Sequence, residues 1–238
     1  MMISLTSSLK KIASSVSLVI SLFSPLAIAP ALAEDIPSDR AEFPGRRIGG
    51  GTRSACAAKA KSLIALNPTN NLGMTASSRP SLYFAIPPLE SSYPVQFFLQ
   101  DEAGNPVYET TTETENTQQL LGIQLPEGTL EVGQDYRWYF AFACNPADPS
   151  QSIVLSGWLR QVASDLPVDT DEAANLNTRL AQIDSYQDSE LWNDAIAGLV
   201  QLQQQYPENP DVQNRWIDLL QALELEMLIE QSVANEMQ

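Results

Sequence analysis

The chain has 238 residues, 44% hydrophobic and 18% charged, with 13 Lys and Arg against 29 Asp and Glu, a formal net charge of −16 and no histidine. This is a globular composition, long enough for one or two packed cores. The missing histidine excludes Ser-His-Asp and Cys-His catalysis and the commonest zinc sites, and the acidity argues against a nucleic-acid surface.

Residues 1–33 read as a secretory signal peptide. Lys10 and Lys11 supply a positive start, and Pro25 and Pro30 interrupt the chain after the apolar stretch Ile12 to Phe23. That stretch is shorter than the roughly 20 residues a membrane span needs. Ala31-Leu32-Ala33 before Glu34 has the small-x-small form of a cleavage site. The expected mature chain, 34–238, is exported to the periplasm or the cell exterior, with no membrane span after cleavage. Removing Lys10 and Lys11 leaves 11 basic groups against 29 acidic ones.

Residues 34–55 form a Gly/Arg-rich N-terminal segment. Arg46, Arg47 and Arg53 flank Gly49, Gly50 and Gly51, and Lys59 and Lys61 follow. Glycine nests with guanidinium groups hold phosphates and carboxylates, so the run is a candidate anion or partner contact. It lacks the Gly-Lys-Ser/Thr of a phosphate-binding loop. The alternative is a pliable linker whose arginines pair with the protein's own acids, since residues 62–238 hold 5 basic and 25 acidic groups.

Residues 56–164 are expected to form a β domain. Period-two alternation marks Leu82, Phe84 and Ile86, then Val95, Phe97 and Leu99, then Tyr136, Trp138, Phe140 and Phe142. The turn Asp101 to Pro106 closes a hairpin onto Val107 to Thr112, and Leu120 to Leu125, Ile153 to Val162 and Ser62 to Leu66 complete about seven strands, the count of an immunoglobulin-like antiparallel sandwich. Leu130-x-x-Gly133-x-x-Tyr136-x-Trp138 resembles the tyrosine corner of immunoglobulin and fibronectin type III folds. Cys56 and Cys144 stand 88 residues apart, too far for a local redox pair or half a zinc ribbon. In an oxidising compartment they are expected to pair, tying the N-terminal segment to the end of the Tyr136 strand; two free buried thiols are the alternative.

Residues 165–238 are expected to be an α-helical tail. Ala173, Leu176, Leu180 and Ile183 share one helical face, and Val212, Trp216, Leu219, Leu220, Leu223 and Met227 form a second stripe. Ala195, Leu199, Leu202 and Pro207 resemble the second helix of a tetratricopeptide repeat, with Tyr186 at the tyrosine position of its first helix and Ile183 where that repeat has a small residue. This makes residues 176–209 one 34-residue unit and 210–228 a further first helix, one and a half repeats in all. So few repeats cannot bury a solenoid core, which leaves the helices to pack on each other, on the sandwich or on a partner. Trp216 is expected to face Leu199 and Leu202, and Trp192 and Trp216 are candidates for a helical docking face.

Other constellations have plainer readings. Asp101, Glu102 and Asn105 lack calcium-loop spacing and suit a polar turn. Asp184, Asp188 and Glu190 imitate a glycosidase pair but lie near helix ends, where acids are solvated or capping. Tyr83, Tyr93, Phe98 and Tyr139 suggest either an aromatic strip on one sheet, as in carbohydrate-binding modules, or core and helix-docking surface.

Several segments together resemble one family. They are Gly45 to Arg53, Arg79-Pro80-Ser81-Leu82-Tyr83-Phe84, Asp101 to Tyr108, Leu130 to Phe140, Cys144-Asn145-Pro146 and Gly157-Trp158-Leu159-Arg160. The chain resembles, over about residues 40–228, the exported cyanobacterial family known as domain of unknown function 928. The resemblance implies compartment and architecture but no chemistry. In that family, neighbouring genes often encode caspase-like proteins with helical repeats, which the resemblance offers as a hint of a partner. The expected function is an exported, non-enzymatic protein-interaction or scaffold module without cofactor or metal, its protein partner unidentified. The alternative is a carbohydrate-binding module of the cell envelope, with polysaccharide as ligand.

Overall fold

Alternating side chains bury both faces of one small sheet. In β3 (Ser81–Ala85), Leu82 and Phe84 point one way into a first apolar cluster, and Tyr83 and Ala85 point the other way into a second. The computed structural model describes residues 45–49, 63–115, 119–145, 152–167 and 174–229. The signal peptide, Gly50, Gly51, Arg53, Cys56, Lys59, Lys61 and Ala173 lie outside the described residues.

Strands β1 (Ile64–Ala65), β3 and β6 (Leu120–Gln124) form a three-stranded antiparallel sheet in the order β1-β3-β6. Strands β2 (Leu72–Thr75), β4 (Pro94–Asp101), β5 (Pro106–Glu113), β7 (Asp135–Phe142) and β8 (Ile153–Gln161) form a five-stranded sheet in the order β2-β8-β7-β4-β5. The two sheets face each other in a sandwich. Its core stacks Phe84 on Phe140 with ring centres 3.9 Å apart and sets Trp138 edge-on to Phe84 at 5.6 Å. Trp138 lies across from Gly157, where a Cβ would come within 2.4 Å of the indole.

The sequence-derived antiparallel sandwich of seven strands needs one correction. An eighth strand, β2, runs parallel to β8. Its four residues, Leu-Gly-Met-Thr, are too few and too irregular to show alternation.

Helices α1 (Leu176–Asp188) and α3 (Pro210–Ala222) pack on α2 (Trp192–Gln205), and α2 lies against the outer face of the three-stranded sheet. Among the described residues, no helix is long and apolar enough to cross a membrane. The bounds of α3 are those of α1 advanced by 34 residues, and so are the N-caps, Asn175 and Asn209. The Asn175 side-chain oxygen accepts from Thr178 N–H, and that of Asn209 from Asp211 and Val212 N–H. Both helices also end alike. Glu190 and Glu224 take left-handed backbone angles (φ 57° and 53°), while Leu191 N–H donates to Tyr186 O and Leu225 N–H to Leu220 O. These are Schellman stops with glutamate where glycine is usual.

That stop corrects the expected stripe. The third helix ends at Ala222 and the chain turns back at Glu224, so Leu225 and Leu228 are buried while Met227 is exposed. Trp192 and Trp216 are half-buried, each packed by part of its indole against the helical cluster. The cluster includes Ile64, Leu66 and Ala85 of the sheet alongside Leu199, Leu202 and Leu219 of the helices. The helices therefore pack on each other and on the sandwich.

Candidate functional site

The Gly/Arg-rich segment, as far as it is described, works on the fold's own edges. Arg46 pairs with Ser156 of β8 through bonds of 2.7 and 2.9 Å, and two residues later Ile48 pairs with Ile64 of β1. Residues 45–49 thus cross from one sheet to the other. Arg47 reaches on to the end of α3, donating from Nη1 to the carbonyls of Asn67 (3.0 Å) and Leu223 (2.5 Å) and from Nη2 to Glu224 O (3.4 Å). Burial lowers its pKa, opposed by the charges of Glu224 and Glu226. A cation on the last carbonyls of a helix is favourably placed. Arg46 is exposed and Gly49 buried.

Asp194, in the first turn of α2, joins the helices to β2. Its carboxylate accepts from Thr75 Oγ1 and from Ala76 N–H, both at 2.7 Å. Burial raises its pKa, and the bonds from Ala76, Thr75 and Ser77 oppose the rise. Next to it, Asn193 Nδ2 donates to Ser81 O at 3.5 Å, and a Cβ at Gly73 would meet Asn193 Oδ1 at 2.3 Å. Nothing in local sequence pattern marks Asn193 and Asp194, since polar residues in a helix's first turn are ordinarily exposed caps.

Two of the other candidate acids, Asp101 and Asp184, are locally engaged. Asp101 accepts from the backbone and side-chain N–H groups of Asn105, both at 2.8 Å, and these bonds lower its pKa. Asp184 pairs with Arg215 at 2.9 Å, and Asp188 and Glu190 are exposed. Among the described residues, no three acids or cysteines come together to hold a metal ion. Cys144 is half-buried on the sandwich core, and its expected partner Cys56 lies outside the described residues.

The four aromatics suggested as one strip are divided among three places. Tyr93 stacks on Phe142 of the sandwich at 5.2 Å. Phe98 and Tyr139 are cross-strand neighbours on the outer face of the five-stranded sheet. Arg137 and Trp158 join them there, with the Arg137 guanidinium 5.0 Å from the Tyr139 ring and 5.8 Å from the Trp158 ring. Tyr83 instead faces the helices, where burial raises its pKa.

Tyr83 helps line a groove of about 400 Å³ between the three-stranded sheet and α2, together with Leu120, Gly122, Val200, Gln203 and Gln204. Gly122 leaves room for the phenol ring, which a Cβ there would meet at 2.9 Å. The lining holds a phenol, two amides and apolar surface, and no charged group. Such a lining offers apolar contact and uncharged hydrogen-bonding groups.

A family model described as Domain of Unknown Function (DUF928) matches residues 48–233. Among curated proteins none matches.

Proposed function

The chain belongs to the DUF928 family, and we propose that it is an exported, non-enzymatic protein-interaction module that binds its partner in the groove between β3, β6 and α2. The observation that carries this reading is the groove itself, an uncharged recess on a chain of net charge −16. The Ala31-Leu32-Ala33 site supports export. The strand orders β1-β3-β6 and β2-β8-β7-β4-β5 support an immunoglobulin-like sandwich, as does the bond from Glu131 N–H to the Tyr136 hydroxyl at 3.0 Å, the tyrosine-corner contact. The 34-residue advance from α1 to α3 supports tetratricopeptide-like packing. The test is affinity capture from envelope extract with wild-type chain and with Gln204→Arg. A protein held by the first and released by the second is expected; capture indifferent to Gln204 sinks the groove.

A carbohydrate-binding role is the second reading. The cluster of Phe98, Tyr139, Trp158 and Arg137 favours it, because aromatic rings stack on sugars and a guanidinium donates to hydroxyls. Retention on immobilised envelope polysaccharide, lost in Tyr139→Ala, would support it.

A further inference from the structure

We infer that β6 receives an extended, basic segment of another protein as an added strand, its alternate side chains seated in the groove. This rests on the reading of the groove as a protein-binding site. Bonds from Leu125 N–H to Pro80 O and from Ile86 N–H to Gln119 O fix which residues of β6 turn their backbone toward β3. Antiparallel pairs alternate, so the odd-numbered residues 121 and 123 bond to β3. Leu120, Gly122 and Gln124 turn their N–H and C=O groups away from β3, to an edge that has no neighbouring strand among the described residues.

Natural sheets blunt such edges with charge, proline or cover. Among the described residues, the other three sheet edges follow that rule. Arg47 to Gly49 pair along β1, α2 caps the end of β2 through Asp194, and β5 carries Pro106, Glu109 and Glu113. Strand β6 reads Leu-Leu-Gly-Ile-Gln, with no charge and no proline. It lies on the rim of the groove through Leu120 and Gly122. An added strand offers main-chain bonds to the edge and every second side chain to a pocket. Charge selects the occupant. A second copy brings another −16, whereas a basic segment is attracted.

The full chain is screened against a synthetic array of random nine-residue peptides, and the tightest binders are followed by amide hydrogen exchange. Net-basic binders are expected, with new protection at Leu120, Gly122 and Gln124. Gln124→Pro removes one outward N–H and should weaken binding about tenfold. As a measurement that leaves the chain unaltered, N-methylating the peptide's edge-facing amides should abolish binding, and methylating the opposite set should not. Acidic binders, protection elsewhere, no binder at all, or binding indifferent to both changes would overturn the inference. So would those three amides protected in the free chain, whether by a second copy at dimer mass or by the chain's own segment at monomer mass. A captured envelope protein that Gln204→Arg releases and Gln124→Pro does not would leave the interaction reading standing and remove the added strand alone.

Discussion

Ile183 of α1 occupies the space above Gly198 of α2. A Cβ at Gly198 would meet Ile183 Cγ1 at 3.0 Å and Cδ1 at 3.3 Å. Sequence comparison with the tetratricopeptide repeat leaves a bulky isoleucine where a small residue is needed for close helix packing. The small residue stands on the facing helix instead. Gly198→Val should therefore overpack the pair and cost about 1–3 kcal/mol. Adding Ile183→Ala should recover part of the loss in a double-mutant cycle of urea unfolding. Strictly additive effects would mean that the two side chains do not compete.

Leu199 is fully buried in the cluster that joins the three-stranded sheet to the helices. Leu199→Ala should cost about 2–5 kcal/mol. Because that core is shared, helix circular dichroism and tryptophan fluorescence should report one transition, displaced as a unit. Trp216→Ala should cost less than Leu199→Ala, since Trp216 is half-buried. Helices that melt alone while the sandwich persists would contradict this.

Asp194 predicts a pH dependence. Its pKa is raised in the folded chain from 3.8 by burial. A carboxyl with a raised folded pKa holds its proton more tightly when folded. Its contribution to stability is therefore gained as pH falls through the raised value toward 3.8, and lost as pH rises through that window. Asp194→Asn should abolish this slope. At neutral pH it should cost only about 0.5–1.5 kcal/mol, because the amide oxygen can still accept from Ala76 N–H while its N–H donates to the Thr75 hydroxyl, and only the extra strength of a charged acceptor is lost. Urea midpoints of both proteins across the acidic range would check it.

Arg47 ties residues 45–49 to the end of α3 through three carbonyls. Arg47→Met keeps much of the stem and removes the donors. The expected loss is about 1.5–3 kcal/mol, the worth of a charged hydrogen bond. Amide exchange at Leu225 and Leu228 should quicken first. Unchanged exchange there would mean that the Schellman stop holds without the arginine.

Cys56 and Cys144 should be linked within one chain taken from its native compartment. Non-reducing mass spectrometry should find the cross-linked peptide and no alkylatable thiol. On the chain-entropy treatment, reduction should then cost about 3–5 kcal/mol. Two thiols that alkylate without reductant would exclude the bridge.

What this sequence determines by itself is what a few neighbouring residues encode. Period-two alternation marks Tyr136 to Phe142 as a strand buried on one face, and helical spacing marks Ala195, Leu199 and Leu202 as an inward face. The 34-residue register is legible from its landmark residues. Tyr83 was legible as an aromatic with two readings, and the helix-facing one is where it lies. Tertiary structure alone decided the rest, because the energy lies between residues distant in the chain. Leu72 to Thr75 is a strand because β8 and Asp194, 119 residues beyond Thr75, supply its bonds. Glu224 ends a helix because Leu225 and Leu228 gain burial by turning back. The groove exists only where β6 and α2 approach. No local pattern tells that Gly122 and Gln204 will meet across it, since each looks from sequence like an ordinary surface residue.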